Sequence, residues 1–282
     1  MMKNWHFAFS RRWFGYLAMA IVFAIACVLL SNWQFARKAE TKAANDLINT
    51  NYARDPQPIA DVLPQLDTWK PSIEWTPVTA TGTYDVAHQL LVRNRSYNGS
   101  PGFEVLTPLR LANGTLFIVD RGWVSIGDKQ DRPDSVPAPA SGEVTVVARI
   151  RESEPELAGR TAPRGEVPTI DLADIEKTLG QATYTGAYGL MDHETPAAAG
   201  ARPVAAIKPQ LDEGLHLSYA LQWIFFALLG FFGLGYALRQ EFRLLNADDP
   251  QERVRAARRE VKAAAKPRSD SEIEDELLDS LQ

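Results

Sequence analysis

Cysteine is almost absent from this chain of 282 residues. The single one, Cys27, leaves no intramolecular disulfide, no Cys-x-x-Cys redox motif and no covalent attachment of a c-type haem. A domain outside the cytoplasm must then be held together by its own core. An excess of positive charge is lacking too, because the formal net charge is -5. The composition therefore gives no indication of a nucleic-acid partner.

The usual catalytic motifs are also missing. The chain has no Gly-x-Ser-x-Gly turn, no His-Glu-x-x-His motif and no Walker loop, and His193-Glu194 lacks the second histidine that zinc would need. A copper carrier needs a cluster of soft ligands, and Met191 with His193 is too small a group to predict one. We therefore expect a protein that is not an enzyme. An extracytoplasmic hydrolase is a less favoured hypothesis than a function that needs no catalytic residues.

Two long apolar segments lie near the two ends of the sequence. One runs from Trp13 to Leu30 without a charge, and the other runs from about Tyr219 to Leu238. Each is about as long as a helix that crosses roughly 30 Å of hydrocarbon, and aromatic residues flank both, as at a membrane interface. We predict transmembrane helices over residues 13–31 and 216–238. The twin arginines of SRRWF resemble an export signal, but a second span favours an uncleaved anchor.

The distribution of basic residues predicts the orientation. Arg239, Arg243, Arg253 and Arg255 follow the second apolar segment, and few basic residues precede it. Since the basic side is cytoplasmic, we expect a cytoplasmic N-terminus over residues 1–12, an extracytoplasmic domain over residues 32–215 and a charged cytoplasmic tail over residues 239–282. The short N-terminal stretch favours a bacterial plasma membrane. We expect the tail to be solvated and partly disordered, the alternative being a helix near anionic headgroups.

The segment between the two spans predicts a mainly β domain. Helical spacing from Trp33 to Leu47 extends the first helix to about Asn51. Five β-branched segments bounded by turn residues predict strands: TPVTATGTYD, QLLVRNRSY, FEVLTPLRL, TLFIVDRGWV and GEVTVVARI. Asn113-Gly114 predicts a hairpin with a type I′ turn. DLADIEKTLG predicts a short helix with Asp171 as N-cap and Gly180 after its end, and residues 133–139 and 194–203 are predicted loops.

These elements define the predicted fold class. It is an α+β membrane protein, with two transmembrane helices flanking an extracytoplasmic, mainly antiparallel β domain that contains a short helix. Short strands at this spacing are typical of a small barrel or a sandwich. Gly230, Gly233 and Gly235 in the second apolar segment are expected to let a neighbouring helix approach closely.

His216 stands at the entry to the second apolar segment. An imidazole can ligate haem iron axially. On a helix, Tyr219 and Ala220 share the face of His216, and Trp223 returns to it, so aromatic side chains could supply the apolar slot that a haem ring needs. The residues alone favour the simpler interpretation, an interfacial histidine that hydrogen-bonds to headgroups.

Four motifs in order resemble the Surf1 (Shy1) family of cytochrome c oxidase assembly factors. SNWQFARK matches the family's Gly-x-Trp-Gln-x-x-Arg at Trp33, Gln34 and Arg37, with Ser31 in place of glycine. WTPVTATGTYD and the stretch ending in Arg121-Gly-Trp-Val follow, and HLSYALQWIFFAL matches the His-x-x-Tyr-Ala-x-x-Trp entry to the second membrane helix. No single motif is specific, but their order between two spans is.

The resemblance implies a two-span plasma-membrane protein that assists assembly of an aa3-type haem-copper oxidase. It implies that haem a is bound or stabilised for insertion, with His216 as the axial ligand of the iron and Tyr219 and Trp223 beside the ring. The implied partners are cytochrome c oxidase subunit I, a haem a synthase and the lipid bilayer, with no nucleic acid. The alternative is a scaffold or accessory subunit of the oxidase or a respiratory supercomplex, without a cofactor.

Two arginines of the motifs have open roles. Arg121 is expected to be structural, although it could pair with a carboxylate or a partner, and Trp123 is expected in the core. Arg37 is expected to lie beside the membrane surface, the alternative being an ion pair with a haem propionate.

Overall fold

The computed structural model describes residues 3–128, 130–211 and 214–265. The chain divides into two compact units. The first contains described residues 3–39 and 214–265, and the second contains described residues between 40 and 211.

The helices and strands follow one another along the chain. The helices are α1 (Arg11–Asn51), α2 (Ile59–Val62), α3 (Leu172–Leu179), α4 (His216–Leu245) and α5 (Pro250–Ala264). The strands are β1 (Gln57–Pro58), β2 (Pro77–Tyr84), β3 (Leu90–Tyr97), β4 (Ser100–Leu111), β5 (Leu116–Ser125), β6 (Glu143–Glu152), β7 (Glu166–Val167) and β8 (Ala187–Thr195). Three 3-10 turns cover Lys3–Phe9, Pro71–Ile73 and Val86–His88.

The first unit contains helix α4 and residues 11–39 of helix α1. Both helices are long and apolar enough to cross a membrane, and the predicted spans 13–31 and 216–238 lie inside them. Helix α1 is continuous to Asn51, so the predicted helical extension beyond the first apolar segment is confirmed. Which parts of these helices lie in lipid stays a prediction.

Small residues lie where α1 contacts α4. Cys27, Ser31 and Ala220 are buried, and the Ser31 hydroxyl donates a hydrogen bond to the Ala220 carbonyl oxygen at 3.0 Å. A Cβ on Gly230 would lie 3.4 Å from the Phe23 ring. Gly233 and Gly235 have no heavy atom of the described chain within 4 Å of a built Cβ, so only Gly230 serves the predicted close approach.

The second unit is a closed five-stranded barrel. Pairing runs from β2 to β6, β8, β5 and β4, and β4 pairs back to β2. Of the two predicted architectures, the small barrel is therefore the one observed. The pairings in this ring are antiparallel except for β5 with β8, which are parallel. Apolar residues such as Val78, Phe117 and Ile150 fill the main core with less than 1% of their surface exposed.

Strand β8 was absent from the sequence prediction. Its first residues, AYGLM, carry few β-branched side chains, and its last two, Glu194 and Thr195, lie in the segment predicted as a loop. That prediction was wrong for these two residues, because pairing with β6 extends to Thr195. Burial decides the assignment: the Glu194 side chain is buried and accepts a hydrogen bond from the Tyr84 hydroxyl at 2.9 Å.

The two Asn-Gly pairs form different turns. Asn113 and Gly114 do connect β4 to β5, but only Gly114 has a positive φ, of 82°, so the predicted type I′ turn is wrong. The Asn113 side chain instead accepts a hydrogen bond from the Thr115 amide. Asn98 and Gly99, between the paired residues Tyr97 and Ser100, have φ values of 49° and 83°. Both central residues of a type I′ turn need positive φ, so this pair fits that turn.

Helix α3 begins and ends as its sequence predicts. The Asp171 carboxylate accepts hydrogen bonds from the amides of Ala173 and Asp174, and Gly180 takes a left-handed conformation after the last turn. The capping carboxylate satisfies amides that lack a helical partner. Leu172 and Ile175 are buried in a cluster on one face of the sheet.

The tail is more ordered than expected over residues 250–264. Helix α5 begins at Pro250, and the Asp249 side chain accepts a hydrogen bond from the Gln251 amide at 2.7 Å. Proline at the first helical position and a carboxylate before it are both favourable for helix initiation. The helix that the alternative prediction gave is therefore observed in this segment, its position near anionic headgroups stays a prediction, and the acidic end over residues 271–282 lies outside the described residues.

Candidate functional site

His216 is the first residue of α4, and its ring is held by α1. Its Nδ1 lies 2.9 Å from the Oε1 of Gln34. An amide oxygen can only accept a hydrogen bond, so Nδ1 is the donor in this contact, and in a neutral imidazole the lone pair is then on Nε2. A histidine whose second nitrogen is fixed by such a partner is oriented for metal ligation through the other nitrogen.

Gly214 lies close to that other nitrogen. A Cβ built on Gly214 would lie 3.1 Å from both Nε2 and Cδ2 of His216, and the φ of Gly214 is 62°. A side chain here would be strained and would crowd the ring. Nε2 of His216 is therefore the ring nitrogen that could ligate a metal, since Nδ1 is engaged by Gln34.

The other predicted site residues are positioned differently. Tyr219 has 47% of its surface exposed. Trp223 is half-buried and makes an edge contact with Phe226, with ring centroids 5.9 Å apart. One turn after His216, Ala220 is fully buried against α1. His216 and Gln34 are thus the pair that the structure brings together. That Tyr219 and Trp223 lie beside a haem ring stays a prediction.

Gln34 was visible in the sequence only as a member of the Trp-Gln-x-x-Arg motif. Nothing in its local pattern indicates a contact with a residue 182 positions away. Arg37, one turn later, has its guanidinium carbon 5.9 Å from the centroid of the Trp33 ring. This geometry is a cation–π contact, and it leaves both predicted roles of Arg37 untested.

The Arg121 motif is built into the barrel. Arg121 is 1% exposed, its Nη1 donates a hydrogen bond to the Pro137 carbonyl oxygen at 2.9 Å, and its guanidinium carbon lies 5.8 Å from the Tyr84 ring centroid. Burial lowers the pKa of Arg121. Trp123 is only half-buried; its ring stacks on Tyr97 at 5.4 Å and its Nε1 donates to the Arg95 carbonyl oxygen at 3.0 Å. These contacts agree with the structural role expected of Arg121.

A charged cluster next to this motif was not anticipated from the sequence. Arg95 forms ion pairs with Glu104 at 2.9 Å and with Glu154 at 2.5 Å. Asp120 is buried, and burial together with the nearby Glu104 charge raises the pKa of its carboxyl to about 8. Its Oδ1 accepts a hydrogen bond from the Gly122 amide at 2.9 Å. In the sequence, Asp120 is one position of an apolar predicted strand, and that pattern does not indicate a protonated carboxyl.

The fold and the site together define a protein with two long apolar helices and a small β barrel between them in sequence. The chain belongs to the SURF1 family, whose model matches residues 21–228. It is 33% identical over 273 residues to uncharacterized SURF1-like proteins of Mycobacterium bovis and of two strains of Mycobacterium tuberculosis, covering 94% of this chain and 94% of each relative. At the family level, this membership supports a role in oxidase assembly, and the family's members are in general assembly factors rather than enzymes.

Proposed function

We propose that this protein assists assembly of an aa3-type haem-copper cytochrome c oxidase by holding haem a before its insertion into subunit I. The observation that carries the proposal is the hydrogen bond between Nδ1 of His216 and Gln34, which leaves Nε2 as the ligand. Free haem is apolar and poorly soluble, so a holding site beside the membrane limits its exposure to water. Gly214 lies beside Nε2, where any side chain would crowd the ring.

The residues around His216 have distinct proposed roles. Tyr219 and Trp223 pack beside the haem ring, and Arg37 pairs with a propionate, because a guanidinium binds a carboxylate through two hydrogen bonds. The barrel provides the surface for subunit I or for a haem a synthase. In this proposal both termini are cytoplasmic in a bacterial plasma membrane, and the barrel lies outside.

Reduced-minus-oxidised spectra of membranes test the proposal directly. The strains are wild type, a deletion, and one whose only copy carries His216→Ala. His193→Ala is the matched control, because the His193 side chain is exposed and, among the described residues, hydrogen-bonds only to its neighbour Asp192. We expect the deletion strain and the His216→Ala strain to lose the haem a band, while an immunoblot of the His216→Ala strain shows a normal level of the protein. His193→Ala should keep the band.

A normal band in His216→Ala, with loss in the deletion, would contradict the haem-holding role. The protein would then act as a scaffold or accessory subunit without a cofactor. A normal band in the deletion would remove the link to oxidase assembly for this chain.

A further inference from the structure

A second site lies in the first unit, at the other end of α4 from His216. A cavity of about 540 Å³ opens between the N-terminal 3-10 turn, the last turns of α4 and helix α5. Its lining has a basic part and an apolar part: Arg239, Arg243, Arg255, Arg259 and Glu252 on one side, and Trp5, Gly235, Leu238 and Phe242 on the other.

Among the described residues, the basic part of the lining carries a net positive charge. Glu252 is buried and accepts hydrogen bonds from Arg259 at 2.7 Å and from Arg255 at 3.5 Å. These bonds hold the pKa of Glu252 below its usual range, so it is ionised at neutral pH. The formal charge of the lining is four arginines minus one glutamate, or +3.

The remaining two arginines have no such partner among the hydrogen bonds and ion pairs of the described residues. Arg239 and Arg243 are one helical turn apart on α4, and like charges at this spacing repel each other. The nearest acidic residue on that helix, Glu241, is already paired with Arg12. An anion in the cavity would offset this repulsion, and guanidinium groups bind phosphate through two parallel hydrogen bonds.

The apolar part indicates that the anion has a hydrocarbon portion. Trp5 stacks on Phe242 with ring centroids 4.5 Å apart, and Leu238 continues the same wall. The apolar segment of α4 ends at this point. A free phosphate would gain nothing from this wall, whereas a phospholipid places its phosphate and its acyl chain on opposite sides of such an interface.

We propose that this cavity binds the headgroup phosphate of an anionic phospholipid, with the acyl chain against Trp5, Leu238 and Phe242. The bound lipid would link the end of α4 to α5 and hold α5 at the membrane surface. This site is separate from the proposed haem site and does not depend on it.

Native mass spectrometry of the full-length protein tests the site. The protein is extracted from nanodiscs that contain phosphatidylcholine with or without phosphatidylglycerol, and the lipids retained are counted. We expect wild type to retain one phosphatidylglycerol and to prefer it over phosphatidylcholine. Arg239→Gln with Arg243→Gln should weaken this retention by about tenfold or more, since each basic residue near an anionic headgroup contributes several-fold. Arg255→Gln with Arg259→Gln is a second variant of the same cavity.

The matched control removes the same charge from outside the cavity. The control variant is Arg253→Gln with Arg258→Gln. Both arginines lie on α5, both are exposed, and neither lines the cavity. We expect its lipid retention to stay within about twofold of wild type. Equal loss in control and site variants would overturn the proposal in favour of diffuse attraction. Equal retention of both lipids, or displacement of phosphatidylglycerol by millimolar inorganic phosphate, would also overturn it.

Discussion

At the scale of single residues, the orientation of one imidazole depends on one amide. The Gln34 side-chain oxygen accepts a hydrogen bond from Nδ1 of His216. Removing this acceptor frees the imidazole ring to rotate. Partners of this kind commonly change metal affinity by one to two orders of magnitude. The role of Gln34 can therefore be separated from that of the ligand itself.

We expect Gln34→Leu to lower the affinity of the purified full-length protein for haem by about 10- to 100-fold. Gln34→Glu should preserve most of the affinity, because a carboxylate oxygen also accepts the hydrogen bond. Absorbance titration with haem in detergent measures both. Gln222→Leu, an exposed glutamine on α4, is the matched control; a loss in Q222L equal to that in Q34L would contradict the specific role.

Asp120 makes a different prediction, about stability. The pKa of its carboxyl is raised to about 8 in the folded protein from an ordinary value of 3.8. The protonated form is favoured on folding, so its stabilising contribution is complete below the unfolded pKa and is lost as the pH rises through the folded pKa. The free energy of unfolding should fall by about 1.4 kcal/mol per pH unit within this window.

Asp120→Asn should remove that slope, because an amide does not titrate. Urea unfolding of the full-length protein in detergent, followed by tryptophan fluorescence from about pH 5 to about pH 9, gives the slope. Asp67→Asn, at an exposed position, is the control and should keep the wild-type profile. A wild-type slope in D120N would show that Asp120 is ionised in the folded protein.

At the scale of elements, the Arg-Gly-Trp-Val motif fixes one edge of β5. Gly122 has a φ of 121°, and a Cβ there would lie 2.3 Å from the Val204 carbonyl oxygen. Val204 exchanges two backbone hydrogen bonds with Trp123, both at 2.8 Å. The glycine thus allows the segment at residues 203–204 to pair with the strand.

We expect Gly122→Ala to destabilise the barrel by more than about 3 kcal/mol, because it adds a steric clash to the strain of positive φ. Gly142→Ala separates the two effects. Gly142 has a φ of 79° and open space around a built Cβ, so its cost should be about 1–2 kcal/mol. Urea midpoints of the two variants give the comparison, and equal costs would show that the approach of Val204 is unimportant.

The elements also show how far local patterns reach. The β-branched segments and the capped helix α3 were predictable, because each depends on residues close in sequence. Strand β8 was not, since its local composition is ambiguous and its burial follows from partners in β6 and β5. The two turns share the dipeptide Asn-Gly and differ in turn type, so the surroundings of each dipeptide decide its geometry.

At the scale of the whole molecule, the charge distribution predicts which side of the membrane each region occupies. A single native cysteine makes this simple to test. In a Cys27→Ser background, Ser100→Cys reports on the barrel and Ala257→Cys reports on α5, since both positions are exposed.

We expect a membrane-impermeant maleimide to label Ser100→Cys in intact spheroplasts and Ala257→Cys only after permeabilisation, because basic flanks stay cytoplasmic. Labelling is read by mass shift on a gel. The reverse pattern would invert the proposed topology and would place the arginine-lined cavity outside the cytoplasm.

The sequence by itself determined the two apolar helices, most strands, the caps of α3 and the family, because these depend on local composition and on motif order. Only the tertiary structure decided the closure of the barrel through β2 and β4, the pairing of His216 with Gln34 and the stacking of Trp5 on Phe242 beside the arginine-lined cavity. These features join residues far apart in the chain, so they depend on packing and register that no local pattern specifies.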